Sequence, residues 1–259
     1  MKTRIPNLFF LLLVGQLSLS GESIFAQTSS IETPLECFHI EGNTLVDYYR
    51  NLKECPQDDV IIPSTVTIIG EEAFAYDRLD SITIPDSVTT IKDDSFRDND
   101  LTSIKIPNSV NTIGNGAFSS NDLILVTIPD SVTTIGESAF RGNKLTSVTI
   151  PDSVIRIKKF AFAENKLTSI TIPNSITEIE QLVFYNNKLT SVTIPDSVTM
   201  IDRQAFSLNN LTSIIIPDSV TTIGDWAFSN NRLTSVRISN KTSVSETSFD
   251  KKVKIIRRY

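Results

Sequence analysis

Proline recurs in this chain at an interval of 22 residues, eight times in succession and without a slip. The eight prolines are Pro63, Pro85, Pro107, Pro129, Pro151, Pro173, Pro195 and Pro217. Phenylalanine, leucine and isoleucine recur at the same interval, as in Phe140 and Phe162. One unit of this size cannot close a core alone, whereas apolar positions stacked in successive units form a continuous one. The period therefore predicts a solenoid.

Each unit carries the signature of a short strand followed by a corner. Apolar and polar residues alternate around Val148, and β-branched residues are common there, which favours a strand. Pro151 ends that strand because proline fixes φ and has no N–H to donate to a sheet. The second half predicts a short strand near Ile157 and one 3₁₀ or irregular turn ending at Phe162. The prediction is a mainly β, right-handed stack of coils with a parallel sheet.

A polar residue repeats at one corner of the unit. Asparagine stands two residues before the leucine of seven units, and Asp77 takes this place in the first. The seven are Asn99, Asn121, Asn143, Asn165, Asn187, Asn209 and Asn231. Such stacked polar groups usually satisfy backbone groups that have left a sheet. We therefore expect this ladder, like the proline, phenylalanine and leucine ladders, to serve the fold rather than a binding site.

The pattern Leu-x-x-Val-x-Ile-Pro-x-Ser-Val-x-x-Ile-Gly-x-x-Ala-Phe resembles the BspA-like, Treponema-type leucine-rich repeat over about residues 58–238. It departs from that family in its period, which is more usually 23, and in having asparagine where many members carry cysteine. The resemblance implies a leucine-rich-repeat solenoid. It also implies a surface-exposed bacterial protein that binds extracellular-matrix or plasma proteins of a host, with some members promoting aggregation with other bacteria.

The N-terminus predicts export. Lys2 and Arg4 precede an apolar stretch at 8–19, which would rise only about 18 Å as a helix, short of a bilayer core of about 30 Å. We interpret residues 1–26 as a signal peptide cleaved after Ala26. With no cysteine nearby for acylation and no apolar C-terminal tail, we expect a secreted or cell-surface protein without an integral membrane segment after signal removal.

The segments that flank the repeats predict caps. Cys37 and Cys55 stand 18 residues apart and should pair in an oxidising compartment, stabilising an N-terminal cap at 27–57 by about 3 kcal/mol. A zinc site with His39 is the weaker alternative because zinc needs more ligands. Residues 239–259 read as a degenerate repeat and C-terminal cap, whose basic residues deter edge-to-edge stacking.

Composition argues against two broad functions. A net charge of -6 gives no overall electrostatic footprint for nucleic acid. A single histidine removes most acid–base and triad chemistry, and the many serines have no accompanying base, so a hydrolase is a faint alternative. We expect no catalytic residue, metal or cofactor, and consider the protein a non-enzyme.

Function should lie in positions that differ between units, and three surfaces offer such positions. The strand face is a Ser/Thr surface with two apolar points. A corner row presents three lysines in successive units, partly neutralised by Glu164, and a third ridge carries apolar residues that either contact a partner or fold inward over the corner. The candidate partner-binding residues are Leu125 and Ile215 on the strand face, Lys144, Lys166 and Lys188 in the corner row, and Phe160, Leu182 and Trp226 on the third ridge.

These observations predict an exported recognition or adhesion protein whose solenoid surface binds a protein or glycan, such as an extracellular-matrix component. The alternative is an ice- or crystal-surface-binding protein, because regular Ser-x-Thr rows on a flat sheet could match a lattice. Four residues interrupt those rows: Lys105, Leu125, Ile215 and Arg237. An acidic or sulfated ligand would favour the lysine row, whereas a ligand insensitive to salt would favour the apolar ridge.

Overall fold

The computed structural model describes residues 32–258. The predicted signal peptide at 1–26 lies outside the described residues. Coil 1 is here residues 58–79, and each later coil is the next 22 residues, so that coil 8 is residues 212–233. Coils 1–7 each consist of strand segments on two sides and an irregular turn that connects to the next coil, whereas the first side of coil 8 has only an isolated bridge between Ile215 and Arg237.

The strands are short, as expected of a solenoid with two corners in 22 residues. A 3₁₀ helix at Leu35–Cys37 precedes them. In chain order they are β1 (Phe38–Glu41), β2 (Thr44–Tyr48), β3 (Val60–Ile61), β4 (Ile68–Ile69), β5 (Ile82–Thr83), β6 (Thr90–Ile91), β7 (Ser103–Lys105), β8 (Thr112–Ile113), β9 (Leu125–Thr127), β10 (Thr134–Ile135), β11 (Ser147–Thr149), β12 (Arg156–Ile157), β13 (Ser169–Thr171), β14 (Glu178–Ile179), β15 (Ser191–Thr193), β16 (Met200–Ile201), β17 (Thr222–Ile223), β18 (Ser235–Ser239), β19 (Ser243–Val244) and β20 (Lys254–Arg258).

Equivalent strands of successive coils pair in parallel, which confirms the prediction. Strand β11 lies where the sequence places a strand around Val148, and it pairs with β9 through Ser147 and Leu125. The second side orders β1-β2-β4-β6-β8-β10-β12 and then β14-β16-β17-β19. The first side has four separate sheets, β3-β5, β7-β9-β11, β13-β15 and β18-β20, so it is interrupted at other junctions as well. Both sides are therefore divided between coils 5 and 6, where the sequence predicts no interruption.

A column of stacked phenylalanine rings fills the core. Rings of successive coils lie 5.2–5.9 Å apart between centroids, with planes inclined by only 3–12°. Each ring from Phe74 to Phe228 is buried. The widest spacing, 5.9 Å between Phe162 and Phe184, lies at the same junction of coils 5 and 6. One ring per coil thus joins all eight coils into a single apolar core.

The asparagine ladder satisfies backbone groups at the corner, as predicted. Buried Asn209 accepts a hydrogen bond from the Leu189 N–H at 3.0 Å. Its amide group donates to the carbonyl oxygens of Phe184 at 3.0 Å and Phe206 at 3.1 Å. Each asparagine therefore links its own coil to the preceding one.

The turn that follows the second strand has an unusual backbone. At two fixed positions every coil has a residue in the left-handed region with φ between 52° and 68°, although only two of these sixteen residues are glycine. They are Glu72, Asp94, Gly116, Ser138, Phe160, Leu182, Gln204 and Trp226 at the first position, and Tyr76, Asp98, Ser120, Gly142, Glu164, Asn186, Leu208 and Asn230 at the second. The predicted 3₁₀ alternative is absent from the described coils, which have the irregular turn.

Backbone hydrogen bonds join these turns from coil to coil. The Phe160, Phe162 and Glu164 N–H groups donate across 2.8–3.2 Å to carbonyl oxygens of coil 6. This ladder therefore continues across the junction at which both sheets are divided. We call the surface formed by these turns the turn face.

A glycine beside the isoleucine ladder has a different role. Gly136 has no positive φ, but a Cβ there would lie 2.3 Å from the Gly114 carbonyl oxygen. The requirement is close approach of two coils rather than a left-handed backbone.

Both ends of the solenoid continue its ladders. The β1–β2 hairpin pairs Phe38 with Tyr48, and the Tyr48 ring lies 5.4 Å from the ring of Phe74. A disulfide joins Cys37 and Cys55, as predicted, and leaves no thiolate for zinc. At the other end Phe249, one residue short of the 22-residue interval, stacks on Phe228 at 5.2 Å between ring centroids.

Candidate binding surfaces

The strand face exposes the two apolar residues predicted there but does not bring them together. Leu125 is 57% exposed and Ile215 is 80% exposed, and they belong to coils 4 and 8. A groove of about 540 Å³ runs beside Leu125, bordered by Thr127, Ser147 and Thr149. Because this side is divided between β11 and β13, its Ser-x-Thr rows do not form one continuous sheet.

The lysine row is smaller than its sequence suggests. Lys144 forms an ion pair with Asp122 at 2.8 Å. Glu164, expected to neutralise part of the row, instead pairs with Arg141 at 2.9 Å, because its left-handed backbone places it on the turn face. Lys166 and Lys188 are exposed, and within residues 32–258 neither has a carboxylate partner closer than 4 Å. The row thus reduces to two available cations.

On the third ridge, one of the three candidate residues folds inward over the corner and the other two remain at least partly exposed. Leu182 folds inward and is only 8% exposed, which leaves little of its side chain for a partner. Phe160 is half-buried, with the Arg141 guanidinium 5.2 Å from its ring centroid. Trp226 remains 40% exposed.

Trp226 borders an open groove on the turn face of coils 6–8, which we call the Trp226 groove. Its volume is about 320 Å³. The lining residues are Tyr185, Arg203, Gln204, Ser207, Leu208, Trp226, Ser229 and Asn230. The backbone beneath it is fixed, since the Trp226 N–H donates to the Thr247 carbonyl oxygen at 3.1 Å and the Leu208 N–H to that of Ser229 at 3.0 Å.

Arg203 gives this groove its charge. Its guanidinium carbon lies 4.7 Å from the ring centroid of Trp226, within the range of a cation–π interaction. Within the described chain, no carboxylate lies within ion-pair distance of Arg203. Asp225 is the nearby acid, and hydrogen bonds from Ser245 and Thr247, together with Arg203, hold the pKa of its carboxyl below the usual range. Asp225 is thus an anion already hydrogen-bonded to two hydroxyls.

The same arrangement of arginine over an aromatic ring occurs elsewhere on the turn face with a different outcome. The Arg97 guanidinium lies 5.8 Å from the ring centroid of Tyr76, and it also pairs with Asp98 at 2.9 Å. Arg141 over Phe160 pairs with Glu164. Of these three stacked arginines, only Arg203 lacks a paired carboxylate.

Coils 1 and 2 give the turn face a different character. Glu72, Asp93, Asp94 and Asp98 lie there, and burial raises the pKa of the Asp94 carboxyl, with neighbouring acids acting in the same direction and Arg97 opposing them. At the first left-handed position, Glu72 and Asp94 give way to Phe160, Leu182 and Trp226 in later coils.

Sequence reasoning identified Trp226 but missed Arg203, Tyr185 and Leu208. Each departs from the residue types at its position in neighbouring coils, as Tyr185 does where other coils have alanine, serine or arginine. A second signal was available, because no valine, isoleucine or threonine occupies either left-handed position in any coil. β-Branched residues are disfavoured at positive φ, so their absence marks these positions.

The repeats match a known family model. The model of the BspA-type leucine-rich repeat region, which spans six copies, matches residues 48–154 and 133–256. The chain belongs to the BspA-type leucine-rich repeat family. This confirms the resemblance and identifies a repeat protein of a kind that typically works by binding rather than by catalysis. A comparison with curated proteins gives no match.

Solved structures of bacterial leucine-rich repeat proteins support the fold. One from Eubacterium ventriosum is 23% identical with a TM-score of 0.54, covering 78% of this chain and 66% of its own. The pneumococcal vaccine antigen PcpA is 18% identical with a TM-score of 0.50, covering 85% of each chain. At such identities the likeness shows the fold alone. In residues 32–258 no helix is long and apolar enough to cross a membrane.

Proposed function

We propose that this protein is an exported recognition or adhesion protein whose Trp226 groove binds a matrix or host macromolecule. The observation that carries the proposal is Arg203, stacked 4.7 Å from the Trp226 ring and lacking a paired carboxylate in the described chain. The two other stacked arginines are neutralised by Asp98 and Glu164. The turn face therefore presents the exposed Trp226 ring and the available Arg203 guanidinium together at one place.

The composition and rigidity of the groove support this choice. Trp, Tyr and Arg are the residue types most enriched at binding hot spots, and Trp226, Tyr185 and Arg203 meet here. Their coils are joined by backbone hydrogen bonds along the turn face, including the one from Trp226 to Thr247. A surface already held in place loses less conformational entropy on binding. The strand face offers isolated apolar points, and the corner row offers two lysines without an aromatic neighbour in that row.

Export is part of the same proposal. The basic and apolar character of residues 1–26 is typical of a signal peptide, and the Cys37–Cys55 disulfide suits an oxidising compartment outside the cytosol. We place the mature protein in the secreted or cell-surface fraction. Mass spectrometry of the secreted protein should give an N-terminus at Gln27.

An array of purified extracellular-matrix proteins and glycans tests the binding site. We expect Trp226→Ala to lower the affinity for the ligand captured by the wild type by more than about tenfold, as at a hot spot. Tyr76→Ala is the matched control because Tyr76 is also exposed, left-handed in backbone and stacked with an arginine.

A second pair of variants examines the competing surface. Lys166→Glu with Lys188→Glu should leave capture unchanged if the Trp226 groove is the site. If this double variant abolishes capture and Trp226→Ala does not, the corner row is the site and the proposal is wrong. Circular dichroism and melting temperature verify that all variants are folded.

A further inference from the structure

We infer that the Trp226 groove recognises a carboxylated sugar within an acidic glycan. This inference rests on the proposed function and specifies its ligand. Two properties of the groove lead to it: the available guanidinium of Arg203, and a combination of apolar surface with uncommitted carboxamides.

The guanidinium requires an anion with which to pair. Arg97 and Arg141 come from a different position of the coil but also stack on an aromatic ring, and each has a carboxylate oxygen of its own chain at 2.9 Å. A carboxylate of a ligand would complete the same arrangement at Arg203. Guanidinium groups bind carboxylates through two parallel hydrogen bonds, so a planar carboxylate fits this group better than a tetrahedral anion does.

The remaining lining suits a sugar ring. A pyranose presents C–H groups on its faces and hydroxyl groups around its rim. Tyr185, Leu208 and Trp226 supply apolar surface for the faces. The Gln204 and Asn230 carboxamides, which make no hydrogen bond to other described residues, supply both donors and acceptors for hydroxyls. The groove, at about 320 Å³ and open to solvent, accommodates a segment of an extended chain.

The backbone of the groove argues against a peptide in the same place. Extended peptides usually gain affinity by hydrogen bonding to unpaired main-chain groups of a sheet edge. Here the N–H groups of Gln204, Leu208 and Trp226 already donate to the next coil at 2.9–3.1 Å. Recognition must therefore come from side chains, which is the usual situation for a sugar.

The chain carries its own reporter for this site. Trp226 is the single tryptophan of the protein, so intrinsic tryptophan fluorescence reports on the groove alone. We would titrate the full chain with tetragalacturonate, its methyl ester, sialyllactose and lactose. Each carboxylated probe is matched by a neutral one. A sulfated galactan oligosaccharide without carboxylates tests whether any anion suffices.

We expect at least one carboxylated probe to change the Trp226 fluorescence saturably, with its neutral counterpart about tenfold weaker or worse. Arg203→Gln should weaken binding by a similar factor. Arg141→Gln is the matched control, since that arginine is also stacked on a ring but already paired, and it should bind like the wild type. Direct calorimetry repeats the comparison for variants whose fluorescence differs in the unbound state.

Three results would overturn the inference: no carboxylated probe binds, the neutral or sulfated probe binds equally well, or Arg203→Gln leaves the affinity unchanged. The array in the preceding subsection separates this from failure of the proposed function. If capture of an array protein is lost in Trp226→Ala while no acidic sugar binds, the groove is a binding site but its ligand is not an acidic glycan. If Trp226→Ala leaves all capture unchanged, the proposed function itself is wrong.

Discussion

Two consecutive asparagines allow the contribution of the buried ladder to be measured with an internal control. Asn209 is buried and bonded to both coils that it joins, whereas the side chain of Asn210 has no hydrogen bond to other described residues. Asn209→Ala removes the acceptor for the Leu189 N–H and the two N–H donors that the carbonyl oxygens of Phe184, Phe206 and Ser207 share. The perturbation is therefore confined to hydrogen bonding at one corner.

The structure sets the expected magnitude. The Phe184 oxygen keeps a hydrogen bond from Asn187 at 3.3 Å, and the Phe206 oxygen keeps one from Asn231 at 2.9 Å. The Ser207 oxygen keeps the bond from the Asn186 N–H at 3.0 Å. The Leu189 N–H alone is left without a partner, at a cost of about 1–3 kcal/mol, and each of the two lost N–H donors adds about 0.5–1.5 kcal/mol. We expect Asn209→Ala to reduce the free energy of unfolding by about 2–6 kcal/mol.

Urea denaturation followed by circular dichroism measures this loss. Asn210→Ala should change the free energy of unfolding by less than about 0.5 kcal/mol, as is usual for a surface substitution. Asn209→Asp keeps the acceptor for Leu189 but faces the carbonyls with an anion, and should not restore stability above pH 6. Equal effects of Asn209→Ala and Asn210→Ala would refute the role assigned to the ladder.

Three further predictions concern the fold. Phe162→Ala should cost about 3–5 kcal/mol in thermal or urea unfolding through the cavity left in the ring column, and an unchanged melting temperature would contradict burial of that column. Replacing Cys37 and Cys55 together with serine should expose coil 1 to hydrogen exchange before coil 5, because an end coil has one neighbour; uniform protection along the coils would contradict this. Ser120→Gly should stabilise the protein by about 1 kcal/mol in urea unfolding, because glycine removes the Cβ penalty at positive φ. Ser120→Val should destabilise it, and the opposite order would contradict the left-handed assignment.

The ladders could be predicted from the sequence because every coil repeats the same physical requirement. Pro151 marks a corner, Phe162 a place in the ring column and Asn165 a link between backbones, and each recurs at an interval of 22 residues. Repetition made these positions visible without a structure. The degenerate last coil was also predictable, since Phe249 retains its ladder one residue early.

The left-handed turn positions escaped prediction because their residue types vary. Glycine stands at Gly116 and Gly142 alone among the sixteen, so the usual signal of positive φ is weak. What the positions share is the absence of β-branched residues, a negative pattern that appears only when all coils are compared. Coil-to-coil hydrogen bonds hold the other residues there despite a cost of about 1–2 kcal/mol for each.

The candidate site was only partly predictable for a related reason. Trp226 was identifiable as an unusual residue, but the position of Arg203 over its ring depends on contacts between coils. The same holds for the lysine row, where Asp122 neutralises Lys144 and Glu164 turns away to Arg141. The sequence predicts which position of the coil each charged side chain occupies, whereas its ion-pair partner depends on the geometry of the turn.

If the Trp226 groove is the binding surface, removing the Trp226 side chain must weaken binding without unfolding the protein. The most direct measurement is the affinity of Trp226→Ala, relative to the wild type, for the array component that the wild type captures most tightly. We predict a loss of more than about tenfold with an unchanged melting temperature, and wild-type affinity for Tyr76→Ala. A folded Trp226→Ala variant that binds within about twofold of the wild type would contradict the account, since a hot-spot residue cannot be removed at so small a cost.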